Sequence, residues 1–280
     1  MDMTITRDEF RLMANWVRDA TGIVLETGKE YLIETRLSRL AAEAGCTTFS
    51  EFFFKLRADG TGPLARKTID RITTQETSFF RDSATFEMFK YKILPDIVDR
   101  KRARHAYGPV TIRIWSAACS TGQEVYSIGM SIKEVLVDLD VYRVTILGTD
   151  ISDSALAKAS RGRYNRMEAE RGLDPGQLSK HFIRTPEGEY AVSDELRAMA
   201  TFRQFNLFND FSPLGTWDVI FCRNVAIYFD EKDKKSLFDR IGTVLEHDGS
   251  MVIGSTETIQ GLCPQYESQR YHRSVFYRLK

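Results

Sequence analysis

Apolar residues recur at helical spacing through roughly the first hundred positions, then give way to short β-branched runs separated by further helical stretches. Thr6-x-x-Glu9 reads as a capping box ahead of Phe10, Met13, Val17 and Ala20, with Gly22 as the stop. Ile33, Leu37, Leu40, Ala41 and Ala44 repeat the pattern up to Gly45, and Thr48-x-x-Glu51 is a second capping box leading into Phe52, Phe53 and Leu56. Asp59-Gly60-Thr61-Gly62-Pro63 breaks the chain. A small all-helical bundle is the simplest account of this half.

From about Pro109 the rhythm becomes strand then helix. Residues 110–115 alternate with β-branched side chains, 123–137 read as helix and 144–148 as a second strand, with a helix starting near Ser152. Further strands are predicted at 201–205, 217–222, 250–255 and 274–279, and a helix at 231–245. This alternation predicts an α/β domain with a mostly parallel, doubly wound sheet behind the helical domain. No helix separates the last two strands, which predicts an antiparallel pair at the sheet edge. Polar pieces around Pro186-Glu187-Gly188-Glu189 mark residues 181–199 as a small insert outside the sheet.

Composition narrows the class. The chain has 280 residues with 39 Lys+Arg against 39 Asp+Glu and 42% apolar residues, enough to bury a core that offsets chain entropy, so disorder is not its main state. Zero net charge speaks against a nucleic-acid partner. No apolar run approaches the ~20 residues of a membrane span and no leader pattern opens the sequence, so a cytoplasmic protein without membrane insertion is expected. Cys46, Cys119, Cys222 and Cys263 form no CxxC pair and cluster with no histidine, so neither metal nor disulfide is expected. His105, His181, His247 and His272 are scattered and read as surface or structural residues. Without a long exposed apolar stripe, a monomer is the default.

In open α/β sheets ligands sit at the carboxyl ends of the strands. The first strand is followed by Ser116-Ala117-Ala118-Cys119-Ser120-Thr121-Gly122-Gln123-Glu124, small residues that let a ligand approach the backbone and the next helix's free N–H groups. Neither GxGxxG nor GxxxxGK[ST] is present, which demotes dinucleotide and P-loop readings. Asp150, after the second strand, is placed either to accept both hydroxyls of a ribose or to cap the helix near Ser152. Glu124 in its first helical turn is also a favourable dipole partner. Asn206-Leu207 and Arg223-Asn224 close two later strands, and a polar pair directly after Val219-Ile220-Phe221 is either functional or a turn with an ion pair.

Together these motifs resemble the chemotaxis receptor methyltransferases, the CheR family. The matching stretches are Thr74-Gln75-Glu76-Thr77-Ser78-Phe79-Phe80-Arg81, 114–127, Gly148-Thr149-Asp150-Ile151 and 221–230. Their order extends the resemblance over nearly the whole chain. It implies a helical domain at 1–75 facing the receptor, a linker and first catalytic helix at 76–108, and a Rossmann-like class I methyltransferase domain at 109–280 carrying the small β insert. It also implies S-adenosylmethionine as methyl donor and S-adenosylhomocysteine as product, with no metal. By resemblance, Gln75, Thr77 and Arg81 lie beside the cofactor, and Ala118, Glu124 and Asp150 on its amino-acid and ribose side. Asn206, Leu207, Arg223, Asn224 and Val225 surround the adenosine, while Arg81 and Tyr228 flank the methyl group. The family usually has Asn at the place of Gln75 and Gly at the place of Ala118.

The acceptor so implied is a glutamate of a chemoreceptor's methylation helices. A glutamate is already ionised at neutral pH, so its oxygen attacks without a general base, in keeping with the lack of a base constellation. Arg81 is expected to orient that carboxylate and Tyr228 to add a hydrogen bond. Phe79 and Phe80 read as core. Lys29, Arg36 and Arg39 are the expected receptor contacts, against the plainer alternative of a solvated face paired with Glu34 and Glu43. Some family members hold a receptor's C-terminal pentapeptide on a longer, glycine-bearing insert loop than Thr185-Pro186-Glu187-Gly188-Glu189, so dependence on that tether is not expected here. A methyltransferase for RNA or a small molecule, and a non-catalytic S-adenosylmethionine-binding signalling protein, stay open as alternatives.

Overall fold

A computed structural model describes residues 3–104, 108–136 and 138–280. His105 and Val137, both named above, lie outside the described residues.

Four helices form the N-terminal bundle: α1 (Arg7–Thr21), α2 (Glu30–Glu43), α3 (Phe49–Asp59) and α4 (Pro63–Ile72). Thr6 closes its capping box, its hydroxyl accepting the Glu9 N–H while the Glu9 carboxylate accepts the Thr6 N–H at 2.9 Å. The second box is only half formed. Thr48 caps Glu51 at 3.2 Å, but the Glu51 carboxylate reaches past it to the Thr47 N–H at 2.7 Å. The Gly-Pro break starts a helix, because Pro63 sits at the first position of α4, where its missing N–H is harmless. Met13, Val17, Ile33, Leu37, Phe49, Phe52 and Leu56 fill the bundle and are buried.

The chain then runs without helix or strand from Thr73 to Asp82 and enters α5 (Ser83–Met88), a π turn (Phe89–Ile93) and α6 (Leu94–Arg104). The second domain continues β1 (Val110–Ala117), α7 (Gln123–Val135), β2 (Tyr142–Asp150), α8 (Asp153–Arg161), β3 (Arg163–Tyr164), α9 (Arg166–Glu170) and α10 (Pro175–His181). After these come β4 (Phe182–Arg184), β5 (Tyr190–Val192), α11 (Asp194–Met199), β6 (Ala200–Gln204), β7 (Trp217–Cys222), α12 (Glu231–Val244), β8 (Leu245–Ile253), β9 (Tyr266–Tyr271) and β10 (Ser274–Leu279).

Seven strands form the main sheet in the order β6-β2-β1-β7-β8-β10-β9. The first five are parallel, and β10 pairs antiparallel with both β8 and β9. The two strands expected at the edge do pair antiparallel, but the edge itself is β9. Its Tyr-Glu-Ser-Gln-Arg-Tyr run has few apolar residues, so the periodicity that exposes the other strands is missing. Alternation sorts the core: Ile112, Ile114, Val219 and Phe221 face α5 to α7, while Trp115, Ala117, Ile220 and Cys222 face α12. The insert is larger than expected. Its three-stranded sheet, β3-β5-β4, takes a strand from 163–164, upstream of residue 181.

Candidate functional site

The strand order reverses between β1 and β7, and the crevice there is where an open α/β sheet admits a ligand. The loops after β1, β2, β6 and β7 meet the 73–81 linker and the α1–α2 connection around a cleft of about 940 Å³. Among the described residues six non-glycines have positive φ, and five of them, Phe80, Asp82, Ala118, Ser120 and Asn224, surround this place. Each such backbone costs about 1–3 kcal/mol and persists only where its surroundings hold it.

Asp150 ends β2 with each carboxylate oxygen held by one backbone N–H: Oδ2 by Ser120 at 2.8 Å and Oδ1 by Ser152 at 2.9 Å. The cap of α8 is Ser152, whose hydroxyl accepts the Ala155 N–H, so Asp150 is not the helix cap. Burial raises the Asp150 pKa above the ordinary carboxylate range, opposed by these N–H groups. Ser120 in turn donates its hydroxyl to the Gln75 carbonyl at 3.1 Å, tying the β1–α7 loop to the linker. Gly122 starts α7 at φ 93°, and a Cβ there would lie 2.7 Å from the Ala159 Cβ, so only glycine lets α8 come this close.

Glu124 accepts the Ser116 hydroxyl at 2.7 Å and Arg223 Nη1 at 2.8 Å. Arg223 is a buried hub, its side chain 2% exposed, whose Nη2 also donates to the Arg81 carbonyl at 2.7 Å and to Asp82 Oδ2 at 2.8 Å. The guanidinium therefore joins β7, α7 and the linker. Asn224 follows at φ 57°, its N–H held at 2.7 Å by Glu257, which takes the Gly254 N–H at the same distance. Arg81 Nη1 donates to the Glu76 carbonyl at 3.0 Å. Cys119 also lines the cleft, but burial pushes its thiol well above the ordinary value, which suits packing and not a thiolate nucleophile.

The helical domain completes the wall. Asn206 Nδ2 donates to the Ala20 carbonyl at 2.9 Å, the Val24 N–H donates to the Tyr228 carbonyl at 2.9 Å, and Arg18 pairs with Asp230 at 2.5 Å. Gly22, at φ 76°, lies flat against the Phe208 ring. Thr21 and Ile23 are thereby brought to the cleft.

Of the residues singled out from sequence, Thr77, Arg81, Ala118, Glu124, Asp150, Asn206, Leu207, Arg223, Asn224, Val225 and Tyr228 line this one cleft. Gln75 does not. Its amide turns away to Ser152 Oγ at 2.9 Å, at the β2–α8 turn. Lys29, Arg36 and Arg39 lie off the cleft and form no single cationic stripe. Arg36 holds the Ile72 carbonyl at 2.5 Å and contacts Thr74, Arg39 pairs with Glu43 at 2.8 Å, and Lys29 sits before the helix beside Glu26. Thr21, Ile23 and Glu257 were not legible, since nothing local in their sequence marks a contact made across domains or between strand ends. Phe79 is fully buried and Phe80 partly so, as core.

Two protein-family models match the chain: "CheR methyltransferase, all-alpha domain" over residues 8–73 and "CheR methyltransferase, SAM binding domain" over residues 75–274. Curated relatives align along almost its whole length. Chemotaxis protein methyltransferase 1 of Pseudomonas aeruginosa is 34% identical over 99% of this chain and 100% of that protein. Chemotaxis protein methyltransferase Cher2 of Pseudomonas putida is 34% identical over 98% and 97%, and a chemotaxis protein methyltransferase of Borreliella burgdorferi is 36% identical over 93% and 92%.

Proposed function

The chain belongs to the CheR methyltransferase family and is an S-adenosylmethionine-dependent methyltransferase of chemotaxis, and on that premise we propose that it methylates glutamate side chains of chemoreceptors. The products are glutamyl methyl esters and S-adenosylhomocysteine. The observation that carries this reading is the cleft at the sheet's switch point, which Asp150, Arg81 and Tyr228 all line.

The residues present fit the methyl donor. Each Asp150 oxygen has one protein N–H and keeps a lone pair for a hydroxyl, as a ribose requires. Ile151, Phe205, Leu207 and Val225 supply apolar surface for a base. Glu124 offers negative charge where an amino group would lie, while Arg223 behind it keeps the carboxylate fixed. Among the described residues no cluster of His, Cys, Asp and Glu could hold a metal ion.

S-adenosylmethionine supplies a methyl group on a positively charged sulfur, already activated for transfer. What remains for the protein is alignment. Arg81 presents a fixed fork of donors that orients an incoming carboxylate, and Tyr228 offers one hydroxyl beside it. An ionised glutamate carries its own lone pair, so no side chain is needed to remove a proton.

We place the receptor's methylation helices against the helical domain, in its exposed cations. Arg36 is occupied by the linker, whereas Lys67 and Arg71 on α4, exposed and without an ion pair among the described residues, border the groove that adjoins the cleft through Thr73 and Thr74. The Thr185–Glu189 turn is short and has one glycine, and on that ground we propose that the protein does not depend on a pentapeptide tether. Among the described residues no helix is long and apolar enough to cross a membrane. Incubation with labelled S-adenosylmethionine and chemoreceptor cytoplasmic fragments tests the function: label in the fragments supports it, and cofactor binding without transfer overturns it.

A further inference from the structure

A second cleft, of about 1430 Å³, opens at the same carboxyl edge of the sheet, beyond β8. Because β10 runs antiparallel to β8, the hairpin joining β9 to β10 rises at the edge where β8 ends. The cleft lies between that hairpin, the 254–260 loop and the first residues of α5. A thin partition separates it from the first cleft: the Asp82–Arg223 ion pair at 2.8 Å and the Glu257–Asn224 hydrogen bond at 2.7 Å. Asp82 directly follows Arg81, so the second cleft abuts the place where an acceptor carboxylate is oriented.

Charge in this cleft is one-sided in what it offers. The acids on the partition are bonded within the protein, Asp82 to Arg223 and Glu257 to two backbone N–H groups. Arg270 and Arg273, on the hairpin wall, are exposed and make no ion pair or hydrogen bond among the described residues. Val275, 37% exposed, lies opposite Arg270 in the strand pairing and adds an apolar contact between the two cations. Two free guanidinium groups around an apolar spot match an acidic peptide segment with an apolar residue.

We propose that this cleft seats the acidic segment of the acceptor protein that adjoins its methylated glutamate, with Arg270 and Arg273 as the contacts. The inference rests on the proposed function, and it places acceptor recognition on the catalytic domain as well as on the helical one. Both arginines are exposed on a surface hairpin, so charge reversal leaves the core intact.

The test compares the unmodified protein with Arg270→Glu/Arg273→Glu on a chemoreceptor cytoplasmic fragment, reading KM for the fragment, its salt dependence, and S-adenosylhomocysteine affinity. The expected result is a KM raised about fivefold or more, a flatter salt dependence and unchanged cofactor affinity. Transfer by the unmodified protein with an unchanged KM in the variant overturns this proposal alone. No transfer by the unmodified protein overturns the function and the proposal together. A concentration-dependent dimer in sedimentation that the variant abolishes overturns it in favour of a second copy of the chain.

Discussion

Arg223→Met removes the one cation that ties three segments of the site together, and its cost follows from the geometry. Three hydrogen bonds are lost, to Glu124 at 2.8 Å, to Asp82 at 2.8 Å and to the Arg81 carbonyl at 2.7 Å. Methionine has nearly the length of the arginine stem, so the cavity left behind is small. The main cost is the stranded partner: Glu124, with its side chain only 13% exposed, stays charged without a cation, whereas Asp82 at 34% recovers water. Breaking one side of a buried pair costs about 3–5 kcal/mol, and the partial exposure of Asp82 sets the expectation near the lower end, about 3 kcal/mol. Adding Glu124→Gln removes the stranded charge, so the double variant recovers about 1–2 kcal/mol relative to simple addition. Urea unfolding followed by tryptophan fluorescence reads the loss directly, since Trp115 and Trp217 are buried in the sheet. Calorimetric titration with S-adenosylhomocysteine should show weakened binding in the single variant. A loss below about 1 kcal/mol, or strict additivity with Glu124→Gln, refutes the assignment of Arg223 as the hub.

Further outcomes are expected at three positions. Burial raises the Asp150 pKa, and hydroxyl donors need the ionised form, so S-adenosylhomocysteine affinity should fall as pH drops towards that raised pKa; Asp150→Asn should weaken it about tenfold, near 1.4 kcal/mol, and abolish this acid limb in calorimetry. The linkage sign for folding is opposite: a carboxyl whose folded pKa is raised makes the ligand-free fold more stable as pH falls through it, so Asp150→Asn should remove that contribution in denaturant titrations across acid pH. Ala118 holds φ 59°, a conformation that costs a side chain about 1–2 kcal/mol, so Ala118→Gly should stabilise by about 0.5–1 kcal/mol after the flexibility of glycine in the unfolded chain is counted, read as a shift in unfolding midpoint. Gly22→Ala would put a Cβ 2.0 Å from the Phe208 ring at a backbone φ of 76°, costing about 2–4 kcal/mol and weakening S-adenosylhomocysteine binding through Thr21 and Ile23.

Local chemistry was legible where it is self-contained. Thr6 and Glu9 close on each other within one turn, the first half of β1 alternates because one side of it is less covered, and β7 reads as a mostly apolar run because both of its faces are buried. The loops at the strand ends could likewise be found, because small or polar residues interrupt apolar runs there. Contacts set by the fold as a whole were not. The edge strand β9 is mostly polar and needs β10 to exist, the insert's first strand is two residues long, and Thr21 reaches the cleft only because Gly22 packs on Phe208. The surroundings of the cations around α2 were not legible for a related reason. Helical spacing aligns Lys29 with Arg36, but it does not show that the end of α4 and the linker lie beside Arg36 to accept its hydrogen bonds, nor that Lys29 precedes the helix. Gln75 shows the same limit at a single side chain, its amide bonding to Ser152 across the chain.

Chemical identification of the transferred methyl tests the central claim most directly. Chemoreceptor cytoplasmic fragments, with methylation-region glutamates intact or changed to alanine, are incubated with the protein and labelled S-adenosylmethionine, and the label is followed through mild base. The account predicts base-labile label, as an ester requires, that disappears with the glutamate-to-alanine changes. Base-stable label, or label that persists in the alanine fragments, would contradict it.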